Sequence, residues 1–279
     1  MLEALVGAGH DLRLVLTMPD RRRGRGGALV PTAVKARALA LGLPVSERVA
    51  DATACGAELG VVVAFGRLIK PEVLAKLSMV NLHFSLLPRW RGAAPVERAI
   101  LAGDEETGVC VMALEEGLDT GPVYASAPVR IGEEETAAEL RARLGDLGTG
   151  LLLECLAGGL DRLGSPRPQV GEATYADKIR PEELILDWRR PAGELARVVR
   201  VGRASTTFRG RRLLVHRARP LPAPSGSEAG VPGTARGDAV WTGEGLLALI
   251  EVQGEGRARQ PFASWAAGAR VAPGERFGD

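Results

Sequence analysis

Short apolar runs alternate with helical patterns through the first 160 residues, and this alternation constrains the fold more than any other feature of the chain. Residues 59–64, LGVVVA, are almost continuously apolar and β-branched, which marks a buried strand of a parallel sheet. Residues 12–17 and 79–83 also read as strands, and 108–114 and 122–129 as antiparallel partners at the sheet's later edge. Helical stretches fall between them. Leu2, Leu5 and Val6 open one that Gly7 and Gly9 can end. Thr32 caps another that runs to about Leu41, and Pro71 suits a first helical turn. Residues 95–101 and 135–157 complete the set, the last crossed by Gly145, Gly148 and Gly150, which weaken or kink it. Repeated strand–helix units predict an α/β domain with a mostly parallel sheet covered by helices.

The pattern breaks near residue 163. The polar, Pro/Gly-rich stretch that follows reads as a linker, giving a first domain over 1–163, a linker over 164–180 and a second domain over 181–279. In the second domain a helix over 192–201 precedes apolar runs at 212–216, 239–241 and 246–252, with a turn-rich loop at 220–233. Short strands between turns suggest a small β-barrel or sandwich. Charge bears on which. Residues 1–179 carry 20 Lys and Arg against 23 Asp and Glu, whereas 180–279 carry 16 against 11, every one of the 16 an arginine. A basic module suits a polyanionic partner and an oligonucleotide-binding type of β-barrel; a generic small β-domain fits the pattern equally.

No run of 18 uncharged apolar residues is present, so no membrane span is expected. Cys55, Cys110 and Cys155 have neither disulfide nor metal-ligand spacing, which fits a cytoplasmic protein without a metal.

The chemistry concentrates between residues 80 and 121. Asn81 and His83, the latter one of three histidines, stand two apart at a strand's end, so both side chains share one face. Ligands of open α/β sheets bind beyond that end. An asparagine amide can stabilise charge developing on a carbonyl oxygen, and a histidine can take a proton from an attacking amine. Asp119, 36 residues after the histidine in a GLDTG turn, can orient the imidazole. The set suits acyl transfer to an amine without a covalent intermediate. There is no G-x-S-x-G nucleophile motif, and His83 with Asp119 falls short of a metal's ligand set. The same residue types also serve as a strand cap, a surface histidine and a turn aspartate, and the residues alone leave those readings open. Leu86, Leu87 and Pro88 offer an apolar wall for a planar ligand, with Ser85 opening a loop of exposed backbone N–H groups. Arg89 and Arg91 could meet phosphate or carboxylate, and Arg21, Arg22, Arg23 and Arg25, spaced by glycines, form the densest positive patch. That patch could follow a phosphate backbone, or be an exposed surface loop.

The segments NLHFSLLPRWRGAAPVERAI, GDEETGV and EGLDTG, flanked by PDRRRGRG, VVVAFGRLI and ATYADKI, are similar to those of the 10-formyltetrahydrofolate-dependent formyltransferases. Within that group the Arg/Gly loop, the RWRGAAP segment and the second domain resemble the methionyl-tRNA formyltransferases. The resemblance implies a Rossmann-like formyltransferase domain followed by a small oligonucleotide-binding-type β-barrel. It implies formyl transfer from 10-formyltetrahydrofolate to the α-amine of initiator methionyl-tRNA by a cytoplasmic monomer. Catalysis would fall to Asn81, His83 and Asp119. The folate would lie against Phe65, Gly66, Leu68, Ser85, Leu86, Leu87, Pro88, Glu115 and Leu118. The tRNA would meet Arg21, Arg22, Arg23, Arg25, Arg89, Arg91, Arg203 and Arg209. The family's opening strand and its Gly-Thr-Pro-x-Phe segment have no counterpart here, so the sheet is expected to lack a central strand. A proline-rich turn near 200–208 is also missing. Within the same chemistry, a glycinamide ribonucleotide or amino sugar nucleotide is the alternative acceptor, and a non-catalytic nucleic-acid-binding role is the alternative to an enzyme.

Overall fold

The computed structural model describes residues 1–23, 27–159, 163–225 and 230–279. The chain forms two units, one of Met1–Pro95, Glu106–Arg130 and Ala142–Asp177, the other of Val96–Glu105, Ile131–Arg141 and Lys178–Asp279. In chain order the first elements are α1 (Leu2–Gly7), β1 (Val15–Leu16), β2 (Arg21–Arg23), β3 (Ala28–Val30), α2 (Ala33–Ala40) and β4 (Val45–Ser46). They are followed by β5 (Gly60–Val63), α3 (Pro71–Leu74), β6 (Met79–His83), β7 (Arg91–Gly92) and α4 (Pro95–Ala102). Then come β8 (Glu106–Ala113), β9 (Val123–Arg130), α5 (Ala137–Leu156) and β10 (Tyr175–Ala176).

Local chemistry places several of these. Thr32 Oγ1 accepts from the Lys35 N–H at 3.1 Å, the N-cap bond that starts α2. Lys35 in turn donates to Asp20 and Glu47, both at 2.8 Å, and these hydrogen bonds raise its pKa. Together with the Thr17–Thr32 hydroxyl pair at 2.6 Å, they anchor the base from which the β2–β3 arginine hairpin leaves.

The main sheet of the first unit has the order β5-β6-β8-β9. It keeps the expected Rossmann-like α/β character, but it is not mostly parallel. Only β5–β6 runs parallel; β6–β8 and β8–β9 are antiparallel. The short α4 connection brings β8 back against β6 in the opposite sense. The other parallel pair, β1–β4, stands as a separate sheet. Among the described residues β1–β4 and β5-β6-β8-β9 are thus two separate sheets. Among the described residues β1 and β5 each have one edge with no strand partner, and residues of both line one cleft of about 870 Å³. That edge position explains why β5 is only half-buried despite its β-branched sequence.

All five residues of β6 are buried. Leu82 and Val109 pack under α5 at Gly148, where a Cβ would lie 2.8 Å from Leu82 Cδ2 and 2.9 Å from Val109 Cγ2. Glycine is therefore what lets the helix approach the sheet so closely, and α5 runs unbroken through Gly145, Gly148 and Gly150. On the opposite face Met79 joins Ala52 and Leu77 in an apolar cluster, and Asn81 and His83 follow Met79 on that face. The expected linker stretch is engaged: β10 pairs in parallel with β7, and Arg167 bridges Val123.

The second unit holds α6 (Ala192–Val201), β11 (Ser205–Phe208), β12 (Arg211–Leu221), β13 (Ala235–Arg236), β14 (Ala239–Trp241), β15 (Leu246–Gly254), β16 (Gln260–Pro261) and α7 (Phe262–Ala269). Leu195, Val198 and Val199 of α6 join Leu213, Val215, Leu247, Phe262 and Phe277 in its core. Here the barrel expectation is wrong. The six strands form an open antiparallel sheet, β11-β12-β15-β14-β13, with β16 beside β15. Closure needs a ladder between the end strands. Among the described residues the terminal segment meets the two ends only by single bridges, Phe208–Phe277 and Thr234–Arg276. The core is completed by helices and by an aromatic cluster of Trp188, Phe208, Phe262, Trp265 and Phe277. Among the described residues no helix is long and apolar enough to cross a membrane.

Candidate active site

The site begins with strand alternation. Asn81 and His83 project from the Met79 face of β6, and the loop between β8 and β9 folds back to bring Asp119 over them. The Asp119 carboxylate is engaged from three directions. Gly92 N–H donates to Oδ2 at 2.8 Å, Asn81 Nδ2 donates to Oδ1 at 3.3 Å, and His83 Nδ1 stands 3.6 Å from Oδ2. Both His83 and Asp119 side chains are nearly buried. The histidine's other nitrogen is committed: Nε2 lies 2.8 Å from the Trp90 carbonyl, which can only accept, so Nε2 carries a hydrogen. A neutral ring then has its lone pair on Nδ1, facing the carboxylate. Nδ1 and the carboxylate thus face each other with little solvent between them.

Backbone geometry makes this possible. Asp119 has φ +51° and Trp90 φ +60°, left-handed conformations that non-glycine residues seldom adopt. Gly92, at φ +118°, lies where a Cβ would come within 3.0 Å of the Ala176 carbonyl of β10, so the N–H that grips Asp119 depends on glycine. Trp90 N–H is held by Thr174 Oγ1 at 2.9 Å. Gln169 donates to the carbonyls of Asp119 and Gly121, both at 2.8 Å. The sequence reading missed Gly92, Thr174 and Gln169. The one signal was the β-compatible ATYA run within the polar stretch that reads as a linker.

The residues expected around a planar ligand separate into two groups. Val63 pairs with Leu82 in register, so the chain leaves β5 toward Phe65, Gly66 and Leu68 at the same sheet end where β6 leads to Ser85, Leu86, Leu87 and Pro88. Leu68 is 81% exposed and Leu118 60% exposed, and Glu115 is also exposed. Ser85 is different: it is fully buried and its hydroxyl donates to the Arg89 carbonyl at 2.6 Å, so it holds the turn. Leu86 packs over Gly108. Burial raises the pKa of the neighbouring Cys110 thiol, which is an inert core group on β8.

The arginines also divide. Arg21 and Arg22 are exposed on β2; Arg25 and the Arg23 side chain lie outside the described residues. Arg89 is exposed with its guanidinium 4.7 Å from the Trp90 ring centroid. Arg91 is turned inward onto Gln169 Oε1 at 2.6 and 3.0 Å. Arg203 is exposed, whereas Arg209 is bound to Glu275 and to the carbonyls of Ala269 and Arg270. Among the described residues no group of three or more His, Cys, Asp or Glu side chains is placed to hold a metal ion.

The chain is similar to known proteins over both of its units. Residues 5–156 match the formyl transferase family, and residues 178–270 match the formyl transferase C-terminal domain. The methionyl-tRNA formyltransferase of Dechloromonas aromatica is 43% identical over 99% of this chain and 94% of its own length. That of Symbiobacterium thermophilum is 43% identical over 99% of this chain and 90% of its own. Among solved structures, an N-formyltransferase from Helicobacter canadensis shares the fold with a TM-score of 0.67 at 16% identity, over 89% of this chain and 93% of that one. Near-complete matches at this identity, together with an amide, imidazole and carboxylate gathered on one strand face, lead to one conclusion: the chain belongs to the methionyl-tRNA formyltransferases.

Proposed function

We propose that Asn81, His83 and Asp119 carry formyl transfer from 10-formyltetrahydrofolate to the α-amine of initiator methionyl-tRNA. The observation that carries the reading is the imidazole fixed by Trp90 at Nε2, with Nδ1 turned to a carboxylate that is itself gripped by Gly92 and Asn81. The folate supplies an acyl carbon already bonded to nitrogen, so the protein needs only to orient the amine, stabilise charge and move protons. Asn81 has two amide N–H groups, of which one serves Asp119; the other can donate to the oxygen on which negative charge develops during attack. His83 Nδ1 takes the proton that the amine loses and returns one to the departing nitrogen. Asp119 stabilises the charged ring between those events. Exposed Leu68 and Leu118, with half-buried Phe65, Leu86, Leu87 and Pro88, offer the apolar surface that a flat heterocycle needs. Arg21, Arg22 and Arg89, with Arg23 and Arg25 of the same loop, favour a phosphate backbone, as does the arginine-rich second unit. We place the enzyme in the cytoplasm as a monomer.

The test mixes purified protein with 10-formyltetrahydrofolate and charged initiator tRNA and follows formyl-methionyl-tRNA. His83→Ala and Asp119→Asn should each lower kcat by roughly 10²- to 10⁴-fold, with tRNA affinity changing little. A His83→Ala enzyme that turns over at the wild-type rate would end the reading. Faster formylation of a small amine such as glycinamide ribonucleotide would move the acceptor away from tRNA.

A further inference from the structure

Residues 157–177 lie between the two stretches that match the family, yet the part from 167 to 176 returns to the site. We propose that Gln169 is a positioning residue for formyl transfer: it fixes the backbone of the Asp119 turn so that the carboxylate stays against His83. This rests on the reading that Asp119 and His83 act in the transfer.

A primary amide has two N–H donors and an oxygen with two lone pairs. In Gln169 all four are used: Nε2 donates to the carbonyls of Asp119 and Gly121, and Oε1 accepts from Arg91 Nε and Nη2. One of these carbonyls is that of Asp119 itself, whose left-handed φ of +51° is unfavourable, and the other lies two residues on, so both bonds hold the backbone where the loop turns back. The residues before it, Glu115 to Leu118, are exposed, so packing on that side does little to hold the turn. Arg91 closes a ring of contacts. Its side chain is held by Gln169, and the next residue, Gly92, supplies the N–H at 2.8 Å from Asp119 Oδ2. One side chain thus restrains both the carboxylate's backbone and the donor that grips the carboxylate. The neighbouring contacts, 3.3 Å to Asn81 and 3.6 Å to His83, are long enough that a small shift of the turn would break them.

Other side chains of similar shape cannot do this. Gln169→Met removes every polar contact. Gln169→Glu keeps the acceptor for Arg91 but loses both donors and sets a negative charge against two carbonyl oxygens.

The experiment uses the full chain, with Gln169→Met and Gln169→Glu made alone and Gln169→Met also in the Asp119→Asn background. Single-turnover formylation of charged initiator tRNA gives the rate, and steady state gives KM for both substrates. Both single variants should lose about 10- to 100-fold in kcat while KM stays within about threefold. With Asp119 already changed to Asn, adding Gln169→Met should cost less than about threefold more, because the group it positions is gone. An unchanged kcat in Gln169→Met, a loss confined to KM, or an equal factor in both backgrounds overturns the proposal. Full turnover in Asp119→Asn alone would instead overturn the underlying reading of Asp119, so the two failures are distinct. Gln169→Glu matching wild type would show that Arg91, not the two carbonyls, is what the side chain serves, and would also overturn it.

Discussion

Gly148→Ala isolates the close approach that positions β6, the strand that carries Asn81 and His83. Two effects of opposite sign meet at this residue. Alanine is worth about 1 kcal/mol more than glycine in a helix interior, so the substitution favours α5 itself. The new methyl would lie 2.8 Å from Leu82 Cδ2, 2.9 Å from Val109 Cγ2 and 3.1 Å from Leu82 Cδ1. Leu82 and Val109 are 4% and 0% exposed, so neither has open space to turn into. Overpacking of a tight core costs about 1–3 kcal/mol. The clash should win, leaving Gly148→Ala neutral to about 2 kcal/mol less stable than wild type. Gly145 and Gly150 sit in the same helix, and a methyl added at either would have no neighbour within 4 Å, so they receive the helix gain without the clash. Gly145→Ala and Gly150→Ala should each stabilise by up to about 1 kcal/mol. Urea unfolding of the three variants in parallel gives the comparison. Leu82 is flanked by Asn81 and His83, so Gly148→Ala should also depress kcat, while its two neighbours leave turnover alone. If Gly148→Ala stabilised the protein as much as Gly145→Ala, the close approach of α5 to β6 would not exist in solution, and the account of what seats β6 would fail.

Three further outcomes are expected. Phe277→Ala should destabilise the second unit by about 3–5 kcal/mol, since Phe277 is 2% exposed and touches Trp188 and Trp265 at ring-centroid distances of 6.1 and 6.2 Å; tryptophan fluorescence during urea unfolding reads this directly. Glu183 is held from its usual 4.5 down to about 2, first by hydrogen bonds from Arg98 at 2.6 and 3.2 Å and then by the Arg180 N–H. A depressed carboxyl stabilises fully above its unfolded value and loses that contribution as pH falls from about 4.5 toward 2. Glu183→Gln should therefore cost about 1–2 kcal/mol at neutral pH and next to nothing near pH 2, and an equal penalty at both would refute the pairing. Arg21→Ala with Arg22→Ala should weaken tRNA binding and flatten its dependence on salt by roughly one power of salt concentration for each phosphate no longer neutralised; an unchanged slope would remove the hairpin from the interface.

Much of the structure was legible in the sequence because it rests on local chemistry. The β6 bounds, the Thr32 cap, the α6 helix and the antiparallel β8–β9 pair follow from periodicity and capping. The sharing of one strand face by Asn81 and His83 follows from the two-residue repeat. What was hidden depends on partners far along the chain. Whether β5 is buried or an edge depends on which strand lies beside it, and its VVV run is the same in either case. Whether short antiparallel strands close or stay open depends on the pairing of β11 with β13, which their sequences do not encode locally. Arg91 and Arg209 look like phosphate ligands in sequence because nothing nearby announces Gln169 and Glu275. Gln169 itself sits in a polar stretch whose composition suits a linker, while its 50-residue reach to Asp119 is a tertiary fact.

The pairing of β7 with β10 joins residue 91 to residue 175, a span of 84 residues. Such a pairing has a large loop-closure cost and forms late relative to local structure. During synthesis the strand that carries Asn81 and His83 emerges long before Thr174, whose hydroxyl holds the Trp90 N–H, and before Ala176, which receives β7. A nascent chain therefore holds Asn81 and His83 well before it can complete the contacts around them, which form only once β10 has left the ribosome. The enzyme's chemistry is withheld by the order in which its own polypeptide is made.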